Sequence, residues 1–486
     1  MPVTVRSNGS QGVLVARTVA SDATAEGYLR MDAKSEWIIV VLLVVTVGPM
    51  NGQAKAGEIP VFETGLTEPL VPVGEPFLGT ADPIGAVPYT IDSPGEVVAD
   101  ERYAQPCNGP EAEPMNFEGG YDNGFFIGTA DGDYRLKFRG LLQARHYSNF
   151  RDIDPAFGDD NESGFVLERS SLICTGNFLR PELSFLFLIN GDRSTGTRFV
   201  EEARINYEFS ERTVLQVGRF RNPAFLRELD VSYARQLSIE RSYFNSVFTT
   251  GVLEGANLIN QGDHFRLQGV FSDGQHSGSA ARVKDFFLDE TDFAFTAGLD
   301  WKLFGEWAQY GDLTSWSDEE AAFFIGLSVH TEHGERGDSS ASDVDDFIAW
   351  TADLTYENAG FAAFLATVGR HGHDPIGGVV DQSGLVMLSS YQVIADKFEP
   401  FIRYEYIDFD GVTTVGSVGT SVGDDSVNLM TVGMNWYFAR QACKFTIEAI
   451  HAFDSVPLAA GNTGILVDQP GRDGQTVLGS QFQVLF

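Results

Sequence analysis

Tyr134 to Tyr147 reads YRLKFRGLLQARHY, and its polarity alternates residue by residue. On an extended strand Tyr134, Leu136, Phe138, Gly140, Leu142 and Ala144 share one face, and Arg135, Lys137, Arg139, Gln143 and Arg145 share the other. Four cations and no acid lie on the second face. Arg turned toward lipid at a bilayer midplane costs roughly 2–4 kcal/mol. A strand bordered by hydrocarbon would therefore direct these cations to the inside of whatever it helps to build.

The same period recurs downstream. Phe293, Phe295, Ala297, Leu299 and Trp301 alternate with Ala294, Thr296, Gly298, Asp300 and Lys302. Ile348, Trp350, Ala352, Leu354 and Tyr356 alternate with Thr351, Asp353 and Thr355. Met430, Val432, Met434, Trp436 and Phe438 share a face, as do Leu478, Phe482, Val484 and Phe486. Each segment is about ten residues long, the length a tilted strand needs to cross a bilayer.

A soluble sandwich also alternates, so the connections decide. Strands are expected near 134–147, 163–175, 182–190, 199–209, 212–220, 251–260, 264–272, 291–302, 320–330, 347–357, 360–370, 385–395, 397–409, 426–439, 442–452 and 475–486. Some links are tight, as at Ser210-Glu211, Asn358-Ala359, Asp396 and Gln441. Others are long and polar: 148–162, 221–250, 273–290, 331–346, 371–384, 410–425 and 453–474. The link at 303–319 departs from this rule, because its position calls for a short turn. Tight turns at one end and long loops at the other mark an all-β, transmembrane antiparallel β-barrel of about 16 strands. Closure satisfies every backbone group and removes every edge, and a barrel of this size encloses water rather than a packed interior.

Composition agrees. The 486 residues carry 33 Lys+Arg against 68 Asp+Glu, a formal net charge of −35. Phosphate repels such a surface, so no nucleic-acid partner is expected. The three cysteines, Cys107, Cys174 and Cys443, exclude a disulfide scaffold and a four-cysteine zinc site. One apolar stretch, Trp37 to Met50, followed by Ala54-Lys55-Ala56, reads as a secretory signal peptide over 1–56. Residues 1–30 have no signal character, and translation is expected to start at Met31. Ten of the 19 prolines lie between Pro60 and Pro114. Proline cannot donate to a sheet ladder, so 57–125 reads as a periplasmic linker and 126–486 as the barrel. The exported chain belongs in an outer membrane, against lipid and lipopolysaccharide.

The longest link, Arg221 to Thr250, holds Arg221, Arg227, Arg235 and Arg241 with Glu228, Asp230 and Glu240. It also holds Phe225, Leu226, Leu229, Tyr233, Leu237, Tyr243, Phe244 and Phe248. So many large apolar residues must fold against something, and the inner wall is the available surface. The expectation is an inward-folded third loop that narrows the bore.

Gln216 to Leu229 (QVGRFRNPAFLREL), then Ser238 to Phe248 (SIERSYFNSVF), resembles the phosphate-selective porin O/P family. The matching features are Gly218, Arg219, Phe220, Arg221 and Pro223, followed by Glu240-Arg241. Thr431 to Phe438 (TVGMNWYF) and the terminal Phe486 are similar to that family's last strands. The resemblance covers about 134–486. It implies a sixteen-stranded homotrimeric porin passing small ions and solutes. The phosphate-specific members carry many pore lysines, and the third loop here has none. Phe486 on a final strand resembles the signal read by the outer-membrane assembly machinery.

The candidate pore-lining and constriction residues are Arg135, Lys137, Arg139, Arg145, Arg204, Arg221, Arg227, Arg235, Glu240 and Arg241. From Asp318 to Asp346 nine acids face one Arg336. Rim charge is screened within about 8 Å, so the local arginines set the field, and weak anion preference or none is expected. No cofactor and no metal are expected. Gly419-Thr420-Ser421-Val422-Gly423 matches a nucleophile motif but lacks the strand-to-helix elbow it needs. His371, His373, His330 and His333 read as ordinary loop histidines. A barrel enzyme, and an adhesin or structural barrel, remain the competing readings.

Overall fold

The structure is a computed structural model that describes residues 116–152, 160–191, 198–274, 291–334, 347–373, 379–411, 425–460, 462–468, 472 and 474–486. The expected signal peptide, and all of the linker except 116–125, lie outside the described residues.

Period-two segments become strands throughout. A hairpin comes first: β1 (Phe117–Tyr121) and β2 (Phe125–Thr129). Then follow β3 (Arg135–Phe150), β4 (Asn161–Phe178), β5 (Arg180–Gly191), β6 (Arg198–Ser210), β7 (Thr213–Arg221), β8 (Val252–Gln261) and β9 (Phe265–Ser272). The second half has β10 (Thr291–Phe304), β11 (Ala322–Gly334), β12 (Phe347–Asn358), β13 (Phe361–His373) and β14 (Val379–Tyr391). It ends with β15 (Phe398–Asp408), β16 (Ser426–Ala439), β17 (Cys443–Ala452) and β18 (Thr476–Leu485).

Each strand from β3 to β18 pairs antiparallel with the next, and β18 pairs with β3, from Thr476↔Phe150 to Leu485↔Leu141. The result is a closed barrel of 16 strands. Below the end of β18, the same edge of β3 pairs with β2, from Phe125↔Phe138 to Gly128↔Arg135. The hairpin thus continues the wall, and ordered sheet begins at Phe117, upstream of the limit drawn at 125.

Alternation separates two faces. On β12 Phe347, Ala349 and Thr351 are buried while Ile348 and Trp350 are exposed. On β3 Gln143 and Arg145 are buried and Leu142 is exposed. The outer face carries the exposed apolar side chains, and near the tight turns it carries aromatic pairs: Phe265–Trp301, Phe304–Phe323, Phe398–Trp436 and Phe438–Phe482. Such a girdle marks a membrane interface. The largest apolar cluster lies on the other side, where inner residues of β12–β18 meet residues between 225 and 248.

Two expectations are corrected. The strand placed at 385–395 runs from Val379 to Tyr391. Val393 and Ile394 prolong the apolar pattern, but they sit in a turn closed by Lys397 N–H on the Ile394 carbonyl (2.9 Å), with Asp396 at φ 57. The tight link read as Asn358-Ala359 is Ala359-Gly360, at φ 52 and 84, a pair suited to a two-residue hairpin.

Candidate functional site

Between β7 and β8 the chain makes two short helices and a 3-10 turn: α1 (Arg227–Asp230), the turn Tyr233–Arg235 and α2 (Tyr243–Phe248). Ser242 caps α2 by accepting from Asn245 N (2.9 Å). Phe225, Leu226, Leu229, Leu237, Tyr243, Phe244 and Phe248 are all buried. Each contributes about 1.5–3 kcal/mol of burial, which is why a segment this long folds rather than waves in solvent.

Polar side chains of β3, β4 and β15–β18 hold the segment, all from the face opposite the exposed apolar one. Glu240 accepts from Arg145 Nη2 (3.0 Å) and Arg169 Nη1 (2.7 Å). Arg403 donates to the Glu240 carbonyl (3.1 Å), and Asn435 to that of Leu237 (2.8 Å). Glu448 accepts from Ser238 Oγ (2.5 Å) and Ile239 N (3.0 Å), and Glu405 from Phe244 N (2.7 Å). Lys444 donates to the Gln236 carbonyl. Gln143 and Gln483 donate to the carbonyls of Tyr233 (3.2 Å) and Ala234 (2.8 Å).

Burial pushes the Glu240 carboxyl up, but Arg169 and Arg145 outweigh it and hold it at about 2. Burial also raises Glu228, and there the Arg403 charge and the Ser242 hydroxyl compensate only in part.

Two other segments meet this one. Residues 305–321, the link that broke the short-turn rule, place Tyr310 3.6 Å beneath the Arg227 guanidinium, and the Asp312 carbonyl accepts from Arg227 Nη2 (3.2 Å). Leu313 enters the large apolar cluster. From the opposite rim, the Asn462 carbonyl accepts from Arg145 (2.7 Å) and Tyr147 (2.6 Å), and the Leu458 carbonyl accepts from Tyr243 (3.0 Å).

The ten candidate residues divide by environment. Arg145, Arg227, Glu240 and Arg241 are each under 5 % exposed. They fasten the folded segment, as Arg241 does through the carbonyls of Glu228 (2.7 Å), Leu229 (3.2 Å) and Val231 (2.8 Å). Arg204 and Arg221 are half-buried and share Glu202, at 3.2 and 2.6 Å. Arg135 and Lys137 share Asp122 of the hairpin, both at 3.3 Å. Arg139 and Arg235 have no carboxylate within ion-pair distance among the described residues and line one cavity.

Sequence reading missed Arg169, whose ring partner is Tyr233, and the group in which Arg266 binds Asp230 (3.0 Å) and Asp300 (2.7 Å). A bulge between Leu167 and Arg169 shifts the parity of β4, so strict alternation misplaces Arg169. The Gly419–Gly423 motif lies outside the described residues. His330 is buried between Thr296 (2.7 Å) and Glu332 (3.0 Å), and His371 meets Asp381 (2.6 Å). Among the described residues no group of three or more His, Cys, Asp or Glu is arranged to hold a metal ion.

No protein-family model matches the chain, and no curated protein matches it in sequence. Solved structures do. An anion-selective porin from Comamonas acidovorans aligns at TM-score 0.49 and 13% identity, over 73% of this chain and 100% of its own. The outer membrane channel DcaP of Acinetobacter baumannii aligns at 0.48 and 10%, over 73% and 99%. OmpT of Vibrio cholerae in its trimer form aligns at 0.45 and 12%, over 72% and 99%. At these values the likenesses carry no part of the functional argument, which rests on the barrel's own geometry. The barrel expected from the resemblance to the phosphate-selective porin O/P family is present; membership of that family is established by no match. A closed sixteen-stranded barrel with an apolar exterior is a protein of the bacterial outer membrane, and this chain is placed there.

Proposed function

We propose that the chain is a porin-type channel through which small ions and solutes diffuse passively, narrowed by residues 222–250 as an inward-folded constriction. The observation that carries this is the polar inner wall left half-exposed on the side away from the large apolar cluster. Arg204, Asn206 and Gln216 are only half-buried there, whereas the inner residues of β12–β18 are covered. The conduit then runs eccentrically, between the folded segment and β4–β8. Its cations are offset by neighbouring acids, Glu202 for Arg204 and Arg221 and Asp230 for Arg266, so weak anion preference or none follows.

Assembly as a homotrimer, contact with lipopolysaccharide and insertion by the outer-membrane machinery through Phe486 belong to the same proposal, supported by the family resemblance. Phe486 fits such a role in forming the last rung of the wall, its N–H donating to the Gly140 carbonyl at 3.0 Å.

A second reading, a structural barrel with a blocked bore, is favoured by the way residues 305–321 on one side and Leu458 and Asn462 on the other close on the constriction. Planar-bilayer recording separates the two. Stepwise conductance supports the channel, and silence from correctly folded protein overturns it.

A further inference from the structure

The outer wall is not evenly filled. On the face that hydrocarbon covers, Ala363 of β13 and Ser389 of β14 are cross-strand partners. Their neighbours in the same rung are large: Tyr356 pairs with Ala363, and Ile402 with Ser389. The next rung toward the long loops is large as well, with Leu354, Leu365, Met387 and Tyr404 in register. Two small side chains enclosed by long ones leave a dip in the wall, a groove of about 520 Å³ with Phe323 at its edge. That volume lies within the range of ligand pockets, roughly 300–1,000 Å³.

The groove sits at the tight-turn end of the wall, just above the links 359–360 and 392–397. Beside it Tyr356 meets the rings of Phe323 and Phe361, each at 6.3 Å. Tight turns face the periplasm in such barrels, so the groove meets the periplasmic leaflet. No charged residue lines it. The link beneath it differs from the polar turns at 210–212 and 261–264, because Val393 and Ile394 are 59 % and 47 % exposed there. Lys397, exposed in the same link, has no ion pair among the described residues. Its neighbour Asp396 is engaged by Ser317 (2.7 Å) and Arg440 (3.5 Å).

An apolar link with one uncompensated cation, under a groove without charge, matches an amphiphile with hydrocarbon above and an anionic head below. A protein neighbour fits less well. The polar contact it would use lies on another part of the wall, where Arg219 and Glu254 form an ion pair (2.9 Å) on the face of the exposed Val217 and Leu258.

We propose that this groove binds one anionic glycerophospholipid of the periplasmic leaflet, an acyl chain lying over Ala363 and Ser389 and the phosphate reaching Lys397. The chain supplies the packing contacts that the two small residues leave unmade. The site rests on the outer-membrane placement and not on conduction.

Native mass spectrometry of the full chain in detergent, titrated with dioleoylphosphatidylglycerol, tests it. One lipid should be retained after the rest is stripped. Ala363→Phe with Ser389→Leu fills the groove, and displacing two methylenes already weakens binding about tenfold. Ala297→Phe enlarges the outer face of β10 instead and should leave retention unchanged. Lys397→Gln leaves the wall intact, so it tests the site even if the filled barrel fails to assemble. It should weaken phosphatidylglycerol about fivefold and leave dioleoylphosphatidylethanolamine unchanged. Equal retention by wild type and a folded, filled variant overturns the site. So does equal loss in Ala297→Phe, because the lipid would then be bound nowhere in particular. Unaltered binding in Lys397→Gln overturns the headgroup contact. Ser389→Cys, in a chain with its native cysteines replaced, overturns the lipid if it links chain to chain in phosphatidylglycerol vesicles, since a second copy then fills the groove.

Discussion

The Arg169 guanidinium lies 3.5 Å from the centre of the Tyr233 ring. Arg241 and Arg221 stand over the same ring at 4.2 and 4.9 Å, and the Tyr233 hydroxyl donates to Glu201 (2.7 Å). One aromatic ring thus gathers three cations from β4, β7 and the folded segment. A desolvated cation–π contact contributes about 2 kcal/mol, and here the quadrupole also lessens the repulsion among neighbouring guanidiniums. Tyr233→Ala should release the arginines and widen the bore, raising single-channel conductance. Tyr233→Phe keeps the ring and should leave conductance near wild type while lowering thermal stability by the lost hydrogen bond, about 1 kcal/mol.

Glu240 is the hinge of a different balance. Arg145 and Arg169 both bind it, so Glu240→Gln leaves two buried cations without their counter-charge, a loss of about 3–5 kcal/mol. Its carboxyl is held at about 2, below the usual value of 4.5. A depressed acid stabilises the folded state above the unfolded value, and that contribution disappears as pH falls from about 4.5 through 2. Thermal unfolding in detergent should therefore show a steep decline across that interval in wild type. The decline should be shallower in the variant.

Selectivity should answer to Glu202. It pairs with both Arg204 and Arg221 on the half-exposed side of the bore. Glu202→Gln removes the shared anion and leaves two cations facing the conduit. Reversal potentials in a salt gradient should move toward anion selectivity, with a permeability ratio changed about twofold or more. A shift toward cations would mean that these arginines do not face the conducting water.

Much of this architecture is legible in the sequence, and the exceptions have physical causes. Sixteen strands were expected and sixteen close the barrel, because each must separate hydrocarbon from a polar interior at every second residue. Parity fails where a bulge adds a residue, as at Glu168 and Glu201, so the partners Arg169 and Glu201 were hidden. The start of β14 was missed because Asp381–Gly384 is polar and small, while Val393 and Ile394 extend the pattern into a turn. The site was less readable than the fold. A strand's period states which way Arg145 points, but only the folded segment determines that it ends on Glu240, 95 residues away, rather than in water.

The outer face offers the most direct test of the lipid assignment. Val432 is 48 % exposed, in the middle of β16, between Met430 and Met434 on the same side. Exposure of an apolar row in a closed barrel makes sense only if hydrocarbon covers it. Val432→Arg should lower stability in lipid vesicles by roughly 2–4 kcal/mol and reduce the yield of folded, heat-modifiable barrel. Asn206→Arg, on the half-exposed inner side of β6, adds the same charge where water is available and should be tolerated within about 1 kcal/mol. If both variants fold into vesicles equally well, the exposed rows are covered by protein rather than lipid, because only hydrocarbon discriminates so sharply between the two faces.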